Sequence, residues 1–187
     1  MKVNQVIKTC CDICDIPYDS TIFDEQTVPT DSTSEVGKML IAYHLCMDGI
    51  YSKYASPVTF TATAVDREIE LPEACKAVKV VDQHGNEVAF MQLDYDLRVM
   101  EDGVYTVTYV PVAPDIYWQG LVMLPKPNMP PTVVVVGTVA TYYAIQADNA
   151  RYQSWSQVFE QTTQPFEQKI EQSQLSHGGN MPTSSWL

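Results

Sequence analysis

The sequence has few basic residues, few glycines and no long apolar run. Only 11 of its 187 residues are Lys or Arg, against 23 Asp or Glu, so the formal net charge is −12. Because affinity for phosphate backbones comes mainly from clustered Lys and Arg, this balance argues against a dedicated nucleic-acid-binding protein. Eight glycines leave little material for loops that cradle phosphates, and the sequence contains no nucleotide-binding or hydrolase motif.

Membrane and secretion signals are also missing from the sequence. The longest apolar run, around 133–137, is far shorter than the ~20 residues that span a bilayer. The first residues contain neither a long apolar segment nor a small-residue cleavage site, so we expect no signal peptide. Five cysteines, three of them within five positions, do not form the disulfide framework of a secreted domain. We therefore expect a soluble protein from a reducing compartment, with no membrane partner.

The patterning that is present divides the chain into helical, β and helical blocks. Hydrophobic residues make up 45% of the sequence, which is enough for a core. We predict an α+β fold, a helical bundle with a long C-terminal helix and a small antiparallel β subdomain inserted between helices. The segments are an N-terminal helical segment 1–56, the inserted β subdomain 57–128, C-terminal helices 129–174 that complete the bundle, and an extended arm 175–187.

The first block predicts two helices. Apolar residues from Val3 to Cys14 recur with the spacing of one buried helical stripe, and Pro17 ends that helix. Ser34 is a suitable N-cap for a second, broadly apolar helix that ends near Tyr54.

The second block changes to a period of two residues and is rich in β-forming residues. Turns are predicted at 83–86 and 102–103, where Gly and Asn tolerate a positive φ. Neighbouring strands should pair as a small antiparallel sheet or sandwich. The predicted strands are 58–64, 67–71, 77–82, 88–93 and 104–110.

The third block predicts one long helix from Thr132 to about Gln164, interrupted by Pro165. Such a helix would be ~50 Å long at ~1.5 Å per residue. A globule of this chain length is only ~40 Å across. We therefore expect the helix to project from the body or to pair with neighbouring subunits.

The C-x-x-C of Cys11 and Cys14 is the feature that most resembles a catalytic motif. Redox thiolates are stabilised at helix N-termini, whereas these cysteines fall in the C-terminal half of a helix, which favours core packing. A zinc site would need a second pair of ligands, which Cys46, Cys75, His44 and His84 do not supply in the sequence. We expect His44 to be packed within its helix and His84 to lie exposed in a turn.

Pairs of carboxylates occur at Asp94 with Asp96 and at Glu68 with Glu70. Each pair has the spacing of one strand face, where acidic residues usually serve solubility. We predict no catalytic residue, no cofactor and no metal, and we do not expect an enzyme.

The C-terminal region is rich in glutamine and aromatic residues. Eight glutamines lie between Gln146 and Gln174, with aromatic residues among them, and an apolar pair ends the sequence. A polar, uncharged surface with aromatic residues suits a protein contact that desolvates little charge. The residues predicted to contact the portal or a neighbouring subunit are Arg151, Trp155, Phe159, Phe166, Met181, Trp186 and Leu187.

Four stretches of the chain resemble the head-to-tail adaptors of short-tailed bacteriophages, of the tail tubular protein A type. Residues 3–10 are similar to the family's opening helix, and 36–54 followed by Val58-Thr-Phe60 to its second helix and first strand. Residues 67–72 resemble the β insertion, and 144–161 the long helix before an extended arm.

The resemblance implies a structural virion protein at the head-tail junction, synthesised in the host cytoplasm. Such adaptors form a ring, usually dodecameric, between the portal protein and the tail tube or nozzle protein. DNA passes through the ring during genome ejection without specific binding, and a low density of Lys and Arg suits such a passage.

Other functions stay open from the sequence. The chain could be a small phage tail or baseplate protein with a carbohydrate-binding β domain, or another ring protein. Such a β domain would need exposed aromatic residues on the sheet, for which Tyr95, Tyr105 and Tyr109 are the candidates. A thiol or metal enzyme would be built on Cys11 and Cys14.

Overall fold

Helices occupy both ends of the chain and strands occupy its middle. The computed structural model describes residues 1–24, 28–29, 31–72 and 75–177, the last ten by their backbone alone. The α+β class and the presence of a C-terminal helix are confirmed. The helices are α1 Val3–Ile13, a short 3-10 helix Ser20–Phe23, α2 Glu35–Tyr54, α3 Thr132–Ile145 and α4 Asn149–His177. The strands are β1 Val58–Ala64, β2 Glu68–Glu70, β3 Cys75–Asp82, β4 Met91–Leu93, β5 Asp96–Arg98 and β6 Gly103–Pro111.

The start of α2 is fixed by a side-chain cap and by a close backbone approach. Ser34 Oγ accepts a hydrogen bond from the Gly37 N–H at 3.0 Å, which confirms the predicted N-cap. A Cβ atom on Gly37 would lie 2.0 Å from the Asp31 carbonyl oxygen, so only glycine fits at this position.

The six strands form two three-stranded antiparallel sheets, in the orders β1-β6-β3 and β2-β5-β4. A two-residue turn at Asp66 and Arg67, with φ of 53° and 66°, joins β1 to β2. Ile69 and Leu97 of one sheet and Val107 of the other belong to one buried cluster. The two sheets therefore share a core.

Two predictions in the β block are corrected by the structure. Asp94 lies in the turn between β4 and β5 with a φ of 49°, so it does not share a strand face with Asp96. Tyr105 and Tyr109 are buried in the sheet core, because the alternation of β6 turns them away from solvent. Of the three tyrosines considered for carbohydrate binding, only Tyr95 is exposed.

The predicted helix from Thr132 to Gln164 is wrong, because the chain turns back at 146–148 and forms two helices. Ala147 adopts a left-handed conformation with a φ of 57°, which ends α3. Asp148 then accepts a hydrogen bond from the Arg151 N–H at 3.1 Å and caps the start of α4. Pairing of α3 with α4 therefore replaces a single rod of ~50 Å.

The end of the described chain also differs from the prediction. Pro165 lies inside α4 and does not interrupt it. Residues 175–177, predicted as the beginning of the arm, are the last residues of α4. The rest of the predicted arm, 178–187, lies outside the described residues. Within the described chain, no helix is long and apolar enough to cross a membrane.

The helices form a hydrophobic core of their own. It contains buried residues of α1, α2 and α3, together with Trp118 from the segment that returns from the sheet. The N-terminus pairs with that segment, since the Val3 N–H donates to the Gly120 carbonyl and the Asn4 N–H to the Trp118 carbonyl, at 2.9 and 3.0 Å. Residues from both ends of the chain thus build one core.

Candidate interface on the helical face

Three of the predicted interface residues lie on the side of α4 that faces the rest of the protein. Trp155, Phe159 and Phe166 are half-buried and pack against the helical core. They recur with helical spacing, and α4 packs on α3. These aromatic side chains therefore hold α4 on the protein, and only their exposed parts remain for a partner.

Arg151 is exposed and lies near the first turn of α4. Its guanidinium group lies 5.3 Å from the centre of the Tyr143 ring, and its Nε is 3.5 Å from a carboxylate oxygen of Asp148. Arg151 thus links the start of α4 to the end of α3. Met181, Trp186 and Leu187 lie outside the described residues.

A groove of about 260 Å³ opens between α2 and α4, with α3 as its floor. The floor is made by Gly137, Ala140 and Thr141, whose small side chains leave room above α3. The walls are mostly apolar, with Leu45 on α2 and Tyr152 on α4 exposed by 52% and 41%. Exposed apolar side chains around a concave apolar floor are typical of protein contact sites.

Sequence reasoning placed Leu45 and Tyr152 in helices but did not identify them as surface residues. The sequence carries one signal that α2 has an apolar surface outside the core, because its apolar residues lie on more than one face of the helix. Met39, Cys46 and Ile50 are buried, whereas Ile41 and Leu45, four residues apart, are exposed on another face. A helix with a second apolar stripe has more apolar surface than one core needs.

At one end of the groove, α4 is tied to the last turn of α2. The carboxylate of Glu167 accepts a hydrogen bond from Tyr54 Oη at 3.0 Å and forms an ion pair with Lys53. These contacts lower the pKa of Glu167, chiefly through the hydrogen bond from Lys53. The contacts fix the position of α4 relative to α2.

The helix α4 continues beyond these contacts. The start of α2 lies near the end of α3, since Glu35 accepts hydrogen bonds from Tyr142 and Gln146. Because a turn of three residues joins α3 to α4, α4 runs back along α3 and therefore in the same direction as α2. From Glu167 to His177 the helix adds ten residues, or ~15 Å, past the end of α2.

The cysteines of the helical core are packed rather than activated. Cys10 and Cys46 direct their sulfur atoms at the carbonyl oxygens of Val135 and Val134, at 3.6 and 3.9 Å. Burial raises the pKa of Cys46 and of Cys11 to about 12, and it also raises the pKa of Cys10. A thiol that stays protonated at neutral pH is a poor nucleophile and a poor metal ligand.

The histidines do not add a reactive pair to these cysteines. His44 is exposed on α2, so the expectation that it packs within the helix is wrong, because it lies on the exposed side of that helix with Leu45 and Asp48. His84 lies exposed in a turn, as predicted. Across residues 1–24, 28–29, 31–72 and 75–177, no group of three or more His, Cys, Asp or Glu could hold a metal ion.

The groove between α2 and α4 and the distal part of α4 are thus two features of the helical face that suit a protein contact. Comparison with known proteins adds no relative to this geometry, because no family model matches the sequence and no curated protein is similar to it.

Proposed function

We propose that this chain is a structural subunit of a head-to-tail adaptor ring of a bacteriophage, placed between the portal protein and the tail tube. The observation that carries the proposal is the length of α4, which continues ~15 Å beyond the end of α2. A helix that outgrows the helices it packs on offers surface to neighbouring subunits. Contacts between two different surfaces of neighbouring subunits form a ring when the rotation from one subunit to the next closes.

The arrangement of segments supports the proposal further. We propose that 1–56 and 129–174 form one helical bundle, that 57–128 is an inserted β subdomain, and that an arm follows α4. The core shared by α1, α2 and α3 supports this division. The net charge of −12 also suits a passage through which DNA slides, since acidic walls repel phosphate.

We propose that the groove between α2 and α4 receives residues 178–187 of the neighbouring subunit. Its mostly apolar walls and its floor of small residues suit an aromatic and an aliphatic side chain such as Trp186 and Leu187.

Mass measurement tests the ring directly. The protein is analysed by native mass spectrometry alone and together with the portal protein encoded by the same genome. We expect a closed assembly of many copies on the portal. A chain that stays at 21.0 kDa in both samples would contradict the proposal.

Two variants test the groove separately from the ring. Leu45→Ser changes a wall of the groove, and Ile41→Ser changes another exposed apolar residue one turn earlier on the same helix. We expect Leu45→Ser, like deletion of 178–187, to weaken assembly at least tenfold, and Ile41→Ser to leave it unchanged. Equal behaviour of the two serine variants would exclude the groove as the contact while leaving the ring itself in place.

A further inference from the structure

The two sheets have four outer strands, and three of them are protected against pairing with another chain. β2 and β4 are only three residues long. β3 has a bulge between Ala77 and Lys79, and its edge is covered by Gln92. The Gln92 side chain accepts from the Ala77 N–H at 2.9 Å and donates to the Cys75 carbonyl at 2.6 Å. Short strands, bulges, charges and covering groups are the usual protections of a sheet edge.

The fourth outer strand, β1, has none of these protections. Its seven residues, VTFTATA, include no charge, no proline and no glycine. All seven pair with β6 in one continuous register, so there is no bulge. Thr59, Thr61 and Thr63 are exposed. A long, regular and uncharged edge of strongly β-forming residues favours the addition of another strand.

The hairpin at the end of β1 shows which backbone groups face outward. Val65 exchanges two hydrogen bonds with Glu68, at 3.1 and 3.0 Å, on the side away from β6. Because backbone groups alternate between the two sides of a strand, Thr59, Thr61 and Thr63 turn their N–H and C=O groups to that same outer side. This edge therefore presents three donors and three acceptors in a row.

We propose that β1 pairs with β1 of a second copy of this chain, antiparallel, with Thr61 on the two-fold axis. The usable edge is limited at one end by Pro57, which has no N–H, and at the other by the Val65–Glu68 hairpin. Thr61 is the centre of this edge. Full overlap places Thr59 opposite the partner's Thr63 and forms six hydrogen bonds.

The side chains of β1 are complementary to themselves in this register. On the inner face Phe60 lies opposite the partner's Ala62, a large residue against a small one. On the outer face threonine meets threonine, a pairing that already exists within the sheet, where the hydroxyls of Thr59 and Thr108 are 3.2 Å apart. The resulting sheet would have six strands and a continuous core face.

The charge distribution permits a second copy at this edge and at few other places. Each chain has a net charge of −12, so two copies repel each other over most approaches. Residues 55–65 contain no charged side chain, and neither does the facing strand segment 104–111. Two copies can therefore meet at β1 without bringing carboxylates together.

This inference does not depend on the proposed adaptor function. A two-fold contact uses the same surface on both copies and closes as a dimer, whereas a ring needs two different surfaces. The experiments use the protein without any portal protein, so their failure leaves the ring proposal untouched.

Cysteine cross-linking tests the register. In the proposed dimer the two Thr61 Cα atoms are ~5.5 Å apart, within the reach of a disulfide. The two Thr59 Cα atoms, offset by four residues, are ~14 Å apart, as are the Thr106 Cα atoms across three strand spacings. We expect Thr61→Cys to form a covalent dimer under mild oxidation, and Thr59→Cys, Thr106→Cys and the wild type to stay uncross-linked. Equal cross-linking of Thr59→Cys or Thr106→Cys would overturn the proposal.

The mass in solution tests the contact without oxidation. We expect the wild type to sediment at twice 21.0 kDa and Thr61→Lys, which places two like charges on the axis, to sediment at 21.0 kDa. Thr106→Lys adds the same charge to the same face one strand away and should keep the wild-type mass. A monomeric wild type, or an unchanged mass for Thr61→Lys with its circular dichroism preserved, would overturn the proposal.

Discussion

The aromatic ring of Phe159 lies against the backbone of Gly137, at the point where α4 crosses α3. A Cβ atom on Gly137 would lie 2.7 Å from Phe159 Cε2 and 2.5 Å from the sulfur of Cys46. The absence of a side chain at this position lets α2 and α4 both approach α3. The same close packing places small residues on the floor of the groove.

Gly137→Ala should therefore destabilise the protein, although alanine is normally the better helix former. Overpacking of this kind costs about 1–3 kcal/mol of unfolding free energy. Gly49→Ala is the matched control, because a Cβ on Gly49 in α2 meets nothing within 4 Å. The control should gain up to ~1 kcal/mol. Urea unfolding measures both, and a Gly137→Ala protein at least as stable as Gly49→Ala would contradict this packing.

Tyr142→Phe should lower stability by about 1 kcal/mol, because it removes the hydrogen bond that Tyr142 Oη donates to the Glu35 carboxylate. That bond joins the start of α2 to the end of α3, and Glu35 also pairs with Lys38 at 2.7 Å. Tyr152→Phe removes a hydroxyl from an exposed ring on α4 and should have no effect. Thermal unfolding of the two variants in the same buffer measures the difference between their midpoint temperatures. Equal midpoints would argue against the Glu35 contact.

Stability should fall as the pH rises above about 9. The pKa of the Cys46 and Cys11 thiols is about 12 in the folded protein, against an ordinary value of 9.0, because burial disfavours the thiolate. Above the ordinary value the unfolded chain loses these protons first, so each thiol lowers the unfolding free energy by up to ~1.4 kcal/mol per pH unit. Below that value the contribution is fully present and constant.

The measurement is the slope of the unfolding free energy against pH between about pH 8 and pH 10.5. Cys46→Ala should make the slope at the alkaline end less steep by up to ~1.4 kcal/mol per pH unit, which corresponds to about one proton. This change is expected whatever the effect of the substitution on stability at neutral pH. A slope identical to that of the wild type would show that the Cys46 thiol ionises as readily in the folded protein as in the unfolded chain.

Glu167→Gln should loosen the distal part of α4, because it removes the ion pair with Lys53 and weakens the hydrogen bond from Tyr54. We expect faster amide hydrogen exchange from Glu167 to His177 and little change near Asn149. Glu160→Gln, which changes an exposed acid two turns earlier on the same helix, is the control. Equal exchange in the two variants would mean that Glu167 does not hold the helix.

The sequence alone determined the local structure wherever one short-range signal dominated. The period of apolar residues from Val3 to Cys11, the Ser34 cap and the alternation of Val58–Ala64 each specify an element through neighbours along the chain. For the same reason the α+β class and the succession of helical, β and helical blocks followed from the sequence.

The tertiary structure decided which surfaces those elements present. The reversal at Ala147 depends on a left-handed residue, and its only local signal was the capping residue Asp148. The burial of Phe159 depends on Gly137, which is 22 residues away, and the exposure of His44 depends on which of two apolar stripes α2 turns inward. Helical periodicity gives the faces of an element, but only packing against distant residues selects which face is covered.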